Sequence, residues 1–187
     1  IVTPGANQYV DQTYLEAYRS TIKESDLVLV QLEIPLDAVA YAMNICQEEG
    51  VPVMLNPAPA QTLSLETYKQ ATYLTPNESE YNELFLTLDE QLKDRLIVTQ
   101  GSNGVKWMEQ GTEKWIAGHK VNVVDTTGAG DTFNGALAVA LARKEPLESA
   151  IPFANAAAAL SVQAFGAQVG MPTEEQVHTF LKEAGGR

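Results

Sequence analysis

Short apolar stretches that alternate with segments of helical spacing constrain the fold of this chain more than any other feature. Three of them are predicted to be buried strands: 26–34 (DLVLVQLEI), 51–55 (VPVML) and 96–100 (LIVTQ). Residues 36–49, between the first two, carry apolar side chains at helical spacing. Strands that are apolar on both faces are typical of a parallel sheet covered by helices. The sequence therefore predicts a layered α/β domain with a mostly parallel sheet.

The other elements follow from the same periodicities. Helices are predicted at 11–23, 61–70, from Asn77 onward, 131–143, 147–163 and from Thr173 onward, where Thr173 and Gln176 suit a capping box. Strands are predicted at 1–3, 71–75 and 121–124, and a hairpin at 105–109 and 113–117. With no internal repeat or low-complexity linker, we expect residues 1–187 to form one domain.

The charge balance argues against two classes of partner. The chain has 187 residues, with 24 acidic and 12 basic side chains, a formal net charge of −12, and 45% hydrophobic residues. Such a chain can bury a core, but at long range it repels nucleic acids and anionic membranes. An anionic ligand must therefore be held by local features rather than by a cationic surface.

Cysteine usage and hydropathy favour a cytoplasmic location. Cys46 is the only cysteine, so we expect neither a disulfide framework nor a cysteine-based zinc site. No apolar run approaches the length of a membrane span, and the first residues lack the pattern of a signal peptide. Cys46 itself falls on the apolar stripe of helix 36–49 and is predicted to be a small core residue.

The segment VVDTTGAGDTFNGA (123–136) carries the strongest chemical signal. Its glycine turn precedes a helix, so the amides of Gly128, Ala129 and Gly130 are predicted to bind an anion at the positive end of the helix dipole. Asp131 would repel that anion unless it acts there, for example as a general base toward an attacking hydroxyl. The alternative is an ordinary helix start, in which Asp131 merely complements the dipole.

This segment resembles the signature of the ribokinase family of carbohydrate kinases, the phosphofructokinase-B type. Other segments match the family in order: PGAN (4–7), QLEIP (31–35), NPAPA (56–60), PNESE (76–80), VTQGSNG (98–104) and AAAALSVQAFGAQ (156–168). The resemblance covers essentially the whole chain. It implies a three-layer α/β/α fold and ATP-dependent phosphorylation of a sugar's primary hydroxyl. The 5-hydroxyl of D-ribose is the first expected acceptor. Fructokinase or nucleoside kinase activity, or an inactive nucleotide-binding fragment, are the alternatives.

The resemblance also implies roles for individual residues. Asp131 would be the catalytic base, with Gly128, Ala129 and Gly130 as the anion hole. Glu33 would touch the sugar, whereas a lone glutamate after a strand could equally be a solvated loop residue. Asn77 would order the ATP phosphates, and Glu80 the hydrated Mg²⁺; helix capping would explain Asn77 alone, but we do not expect it to explain the pair.

The nucleotide and monovalent-cation sites are implied in the same way. The residues matching the family's ATP site are Asn77, Thr99, Gln100, Gly101, Ser102, Asn103, Gly104, Gly130, Asp131 and Asn155. Those matching its K⁺ site are Asp125, Thr127, Ser161, Ala164, Gly166 and Gly170. The family often has serine at the last of these positions, so Gly170 removes one side-chain oxygen.

Two departures from the family limit what the chain is expected to do alone. The amino-terminal section of the family, with its sugar-binding segment and β-sheet lid, has no counterpart in this sequence, and a homodimer is expected to form through that lid. The stretch from Asn77 to Thr99 is also short for the family.

The remaining conspicuous side chains have simpler interpretations. His119 and His178 lack metal-ligand spacing and are expected to be structural or exposed. Trp107 and Trp115 fall in the two arms of the predicted hairpin, where cross-strand packing is expected.

Overall fold

The computed structural model describes residues 4–185, so the strand predicted at residues 1–3 lies outside the described part. Its helices are α1 (Gln12–Ala17), α2 (Arg19–Lys23), α3 (Leu36–Glu49), α4 (Leu65–Gln70), α5 (Glu78–Leu84), α6 (Asp89–Leu92), α7 (Ala129–Ala142), α8 (Leu147–Ser161) and α9 (Glu174–Gly185). Its strands are β1 (Val28–Gln31), β2 (Val53–Asn56), β3 (Tyr73–Leu74), β4 (Ile97–Thr99), β5 (Val105–Glu109) and β6 (Thr112–Ile116). Short 3₁₀ turns cover Gly5–Tyr9, Lys93–Arg95 and Gly101–Asn103.

The first sheet is parallel, as predicted. Its order is β1–β2–β3, and the register pairs Gln31 with Asn56 at the carboxyl ends of β1 and β2. Single parallel bridges from Leu74 to Leu96 and from Asn77 to Thr99 continue this arrangement toward β4. The α/β fold class with a parallel sheet is therefore confirmed.

Helix α3 connects β1 to β2 and packs its apolar stripe into the core. Gly50 ends the helix in the left-handed conformation, with φ of 72°, which glycine adopts without steric cost. Met43 and Cys46 on that stripe are fully buried and belong to the same apolar cluster as Leu55 and Tyr68. The prediction that Cys46 is a small core residue is confirmed, and burial raises the pKa of its thiol to about 11.

The hairpin of β5 and β6 turns at Gln110 and Gly111, both with positive φ, 51° and 74°. Its two tryptophans do not pack on each other. Trp107 is 6% exposed and Trp115 is 60% exposed, because a two-residue turn places positions 107 and 115 on opposite faces. The expected cross-strand packing of the two rings is therefore wrong.

Helices α7, α8 and α9 pack through an alanine-rich cluster that includes Ala156, Ala157 and Val177. The predicted capping box begins α9: the Thr173 N–H donates to Oε1 of Gln176 at 2.7 Å, and the Gln176 N–H donates to the Thr173 hydroxyl at 3.3 Å. His178 is exposed, as expected, with Nε2 lying 3.6 Å from the Glu174 carboxylate.

Three predicted elements differ from the structure. Residues 121–124 are not a strand; instead the Val124 N–H donates to the Val162 carbonyl at 2.8 Å, so its partner is a helix terminus rather than a sheet. The helix predicted at 11–23 is interrupted at Tyr18. The helix predicted at 61–70 begins only after Ser64, whose hydroxyl accepts the Thr67 N–H at 3.1 Å.

The chain divides into two compact units. One comprises residues 1–99 and 107–113, the other residues 100–106 and 114–187. That they act as a single domain stays a prediction. No helix within residues 4–185 is both long and apolar enough to cross a membrane.

Candidate active site

The turn before α7 strongly favours glycine at position 128. Gly128 caps the helix with φ of 78°, and a Cβ there would lie 2.9 Å from the Ala167 carbonyl oxygen. The Thr132 N–H and hydroxyl both donate to the Gly128 carbonyl, at 2.8 and 2.9 Å. The backbone is thereby held in one geometry at the positive end of the α7 dipole.

The three amides predicted as an anion hole differ in their surroundings. The Ala129 N–H donates to the Thr126 carbonyl at 3.2 Å, so it is already bonded within the turn. Next to Gly130 the space is open, since a Cβ there would meet nothing within 4 Å. Asp131 follows in the first turn of α7, where its side chain is exposed. An incoming group can therefore approach Gly130 and Asp131 from solvent.

Asp125 ties this turn to the segment after α8. Its Oδ1 accepts the Thr127 N–H at 2.9 Å and the Thr127 hydroxyl at 2.7 Å, and its Oδ2 accepts the Gly166 N–H at 2.9 Å. These bonds, led by the Thr127 hydroxyl, hold the pKa of the carboxyl below its ordinary value. Three residues of the predicted cation site are thus brought together.

Ser161 and Gly170, two further residues predicted for the cation site, lie against each other. Gly170 packs so closely on the Ser161 carbonyl that a Cβ at position 170 would overlap its oxygen. A serine there, as is frequent in the family, would therefore need a shift of the backbone. The adjacent Val162 carbonyl accepts the N–H groups of Val124 and Asp125, at 2.8 and 3.2 Å. Ala164 lies in the same segment. Carbonyl and carboxylate oxygens are the ligands that hard cations prefer.

A cavity of about 320 Å³ brings part of the predicted nucleotide site together within the second unit. Among the predicted residues, Gly101, Ser102, Ala129 and Asn155 line it. The buried Asn155 amide donates to the Ala117 carbonyl at 3.0 Å, which fixes its orientation. Lining residues that the sequence did not suggest are Gly118, His119, Val121, Val123, Thr126, Ala158, Ala159 and Val162.

Some of these missed residues carried a weak signal in the sequence. Gly118 packs against the Ser102 backbone, where a Cβ would overlap the carbonyl oxygen, so a glycine just after the hairpin marked a close approach. His119 stacks edge-on against Phe180 with centroids 4.9 Å apart, and burial lowers its pKa. The apolar members carried no signal, because alanine and valine at a cavity wall look like core residues.

Residues 100–104 form a tight loop. The Gln100 N–H donates to the Gly104 carbonyl at 2.8 Å, and a 3₁₀ turn spans Gly101–Asn103. Gly104 has φ of 107° and ψ of −143°, a conformation essentially restricted to glycine, and a Cβ there would overlap the Ile116 carbonyl oxygen.

Asn77 and Glu80 form a capping box at the start of α5. The Asn77 N–H donates to Oε2 of Glu80 at 2.8 Å, and the Glu80 N–H donates to Oδ1 of Asn77 at 2.9 Å. Capping therefore explains both residues, and the expectation that it would explain only Asn77 is wrong. Glu80 is 8% exposed, and this burial raises the pKa of its carboxyl. Thr99 is paired with Asn77 in the parallel bridge.

Glu33 follows β1 and is exposed at the carboxyl end of the sheet. Its neighbour Leu32 is anchored by a hydrogen bond from its N–H to the Ala58 carbonyl at 2.9 Å. Glu33, Asn77, Glu80 and Thr99 thus lie in the first unit, and the other predicted site residues lie in the second. Within the part of the chain that the structure describes, no three His, Cys, Asp or Glu side chains are grouped as a metal site.

Comparisons with known proteins agree with this architecture. The family model of the pfkB family carbohydrate kinases matches residues 1–174. The chain is 46% identical over 186 residues to a ribokinase of Bacillus subtilis and 46% identical over 188 residues to a ribokinase of Lactococcus lactis. These matches cover 97% and 98% of this chain but only 64% and 63% of the relatives. The chain thus spans less than two thirds of their length.

Solved structures give the same result for the fold. The ribokinase of Thermotoga maritima superposes with a TM-score of 0.84 at 37% identity, and the ribokinase of Arabidopsis thaliana complexed with ribose and ATP does so with 0.88 at 30% identity. Each match covers 97% of this chain and 64% of the other. The chain belongs to the pfkB family of carbohydrate kinases.

Proposed function

We propose that the protein containing this chain is an ATP-dependent sugar kinase that phosphorylates the 5-hydroxyl of D-ribose. The observation that carries the proposal is the placement of Asp131. It lies exposed in the first turn of α7, directly after Gly130, which has open space beside its Cα, and after the turn that Gly128 caps. A carboxylate beside amides that favour anions suits a base whose target hydroxyl attacks a phosphoryl group.

In the proposed reaction, the oxygen of the sugar hydroxyl attacks the γ-phosphorus of ATP in line. The Asp131 carboxylate takes the proton of that hydroxyl. The bond to the leaving β-phosphate oxygen breaks, and ADP departs. Charge on the transferred group would be stabilised by backbone N–H groups at the start of α7, among which the Ala129 N–H already bonds to the Thr126 carbonyl. The turn needs little rearrangement to do this, because Asp125 and Thr132 already hold it.

The cavity of about 320 Å³ is the proposed site of the adenosine part of ATP. Ser102 and Asn155 supply polar groups there, and alanine and valine supply apolar walls for a base. Gln100, Asn103 and Gly104 support the loop that carries Ser102, and Thr99 adjoins Asn77. Recognition of the nucleotide is thus assigned mainly to backbone and small side chains.

Metal ions complete the proposal. Mg²⁺ bound with ATP would supply charge neutralisation at the phosphates, and Glu80 with Asn77 would orient its hydration shell. A monovalent cation such as K⁺ is proposed to bind at Asp125, Thr127, Ser161, Ala164, Gly166 and Gly170, because the Asp125 carboxylate bonds to Thr127 and Gly166, and the Ser161 carbonyl lies against Gly170. Glu33 is the side chain proposed to contact the sugar.

Two further parts of the proposal concern the whole protein. Cytoplasmic location is proposed because ATP is the phosphoryl donor and the lone Cys46 is a buried thiol. A homodimer is proposed to form through the lid of the complete protein. Because the chain spans 64% of the first relatives, nucleotide binding without turnover is the second candidate function for the 187 residues alone.

The test replaces Asp131 with asparagine. Loss of the base is expected to lower kcat by about 10²-fold or more while leaving the affinity for ATP within about twofold. Glu175→Gln is the matched control, because Glu175 is likewise an exposed acid in the first turn of a helix, α9. Near-normal turnover by Asp131→Asn would contradict the proposal. Calorimetry with ATP and ribose on the 187-residue chain and on a longer protein would separate the two candidate functions.

A further inference from the structure

The buried side chain of Asn56 connects the two segments that carry the candidate residues of the first unit. Asn56 ends β2, the middle strand of the parallel sheet, and is 7% exposed. Its Oδ1 accepts a hydrogen bond from Nε2 of Gln31 at 2.9 Å, and its Nδ2 donates to the Thr75 carbonyl at 2.8 Å. Gln31 lies two residues before Glu33, and Thr75 lies two residues before Asn77. The Asn56 side-chain amide therefore links the segment that leads to Glu33 with the segment that leads to Asn77.

The segment before Glu33 has two further supports from the loop that follows Asn56. The Leu32 N–H donates to the Ala58 carbonyl at 2.9 Å, and Nε2 of Gln61 donates to the Leu32 carbonyl at 2.7 Å. Both backbone polar groups of Leu32 are thus satisfied by the NPAPAQ loop. The residue just before Glu33 has little freedom to move while that loop stays in place.

The segment before Asn77 is held from the same strand. The Thr75 N–H donates to the Leu55 carbonyl at 2.9 Å, and the Thr75 carbonyl takes the Asn56 amide. Because a carbonyl can only accept, the Asn56 amide must direct its nitrogen toward Thr75 and its oxygen toward Gln31. An aspartate of the same shape would place an oxygen against the Thr75 carbonyl and leave a buried charge there.

We propose that Asn56 is a positioning residue that fixes the spacing between the sugar-contacting Glu33 and the phosphate- and Mg²⁺-ordering pair Asn77–Glu80. This inference rests on the proposed kinase function, and it adds a buried residue whose side chain bonds to Gln31 and Thr75. The three strand ends converge at the carboxyl edge of a parallel sheet, where small displacements of site residues change rates strongly.

The test is Asn56→Asp, which keeps the side-chain shape and removes the donor to Thr75. It is expected to raise both the KM for ribose and the Mg²⁺ concentration needed for half-maximal activity, each by about tenfold or more. In NMR spectra of the protein without ligands, Asn56→Asp is also expected to shift the backbone amide resonances of both Glu33 and Asn77. Gln61→Met is the matched comparison: it removes a support of Leu32 only, and should affect the ribose KM and the Glu33 resonance alone.

A variant of a core residue distinguishes a positioning role of Asn56 from a general contribution to stability. Ile45→Val, in the fully buried part of α3, lowers stability without touching these bonds and should leave both kinetic constants within about twofold. The inference is overturned if Asn56→Asp loses stability but keeps the Mg²⁺ requirement and the Asn77 resonance unchanged. If the unaltered protein neither binds nor turns over ATP, the proposed function fails. Whether Asn56 positions the two segments is then decided by whether Asn56→Asp shifts the amide resonances of Glu33 and Asn77.

Discussion

The carboxylate of Asp125 accepts a hydrogen bond from the Gly166 N–H at 2.9 Å across a separation of 41 residues. Its other oxygen accepts two bonds from Thr127, so a single side chain joins the turn before α7 to the segment after α8. We therefore expect a change in either segment to affect the backbone that leads into Gly128, including changes far from Asp131 in the sequence.

Replacing Asp125 with asparagine should weaken that link selectively. The new amide can still accept from Thr127, but its NH₂ group then faces the Gly166 N–H, and two donors cannot pair. Misplacement of the turn is expected to lower kcat/KM by up to about 10²-fold. Steady-state kinetics measure this, with Asp37→Asn, an exposed acid in the first turn of α3, as the control. Unchanged kcat/KM in Asp125→Asn would show that the turn keeps its conformation without the Asp125–Gly166 hydrogen bond.

Substitutions at Asn77 and Glu80 should separate helix capping from the proposed role of the pair in ordering Mg²⁺. Asn77→Asp and Glu80→Gln both keep an acceptor for the opposite N–H, so the free energy of unfolding should change by less than about 1 kcal/mol. Glu80→Gln removes the charge, however, and is expected to raise the Mg²⁺ requirement by about tenfold.

The comparison for this pair is Asn77→Ala, which lacks the cap and should lose about 1 kcal/mol of stability. Urea denaturation measures the stabilities, and Mg²⁺ titration of turnover measures the requirement. A Glu80→Gln protein with the parent's Mg²⁺ requirement would leave capping as the whole function of the pair.

Two glycines of the 100–104 loop should respond differently to the same substitution. Gly104→Ala forces a Cβ onto the Ile116 carbonyl in a conformation that suits only glycine, and should cost at least about 3 kcal/mol of stability. Gly101→Ala, with φ of 54° and open space around it, should cost about 1 kcal/mol. Thermal or urea unfolding gives both values. Equal losses would mean that the overlap at Gly104 is relieved by movement of the hairpin.

Burial of Cys46 predicts a stability loss at alkaline pH. Its pKa of about 11 in the folded chain lies above the ordinary value of 9.0, because the thiolate is poorly solvated in the core. The folded state then holds its proton more tightly, so this stabilisation is complete below pH 9 and is lost as the pH rises toward about 11. Cys46→Ala should lose stability less steeply over that interval. Parallel profiles for the two proteins would contradict the assignment, since Tyr68 and Tyr73 are common to both.

The elements that the sequence predicted well are those with local causes. Helix α3 depends on a stripe of apolar residues and on Gly50, and the start of α9 on Thr173 and Gln176, all within a few positions of one another. The glycine turn before α7 was predictable for the same reason, because positive φ at Gly128 leaves few alternatives to glycine. The prediction of strand 121–124 failed because a strand needs a distant partner, and Val124 bonds to Val162 instead.

The sequence by itself determined the fold class, the family and the residue types offered for chemistry, since periodicity and short motifs are properties of neighbouring positions. Only the tertiary structure decided which of those residues meet. It joined Asp125 to Gly166, placed Asn155 with Ser102 around one cavity, and set the Asn56 amide between Gln31 and Thr75. Such contacts depend on how strands and helices pack, because hydrogen bonds between residues far apart in the chain form only when the core brings their elements within about 3 Å.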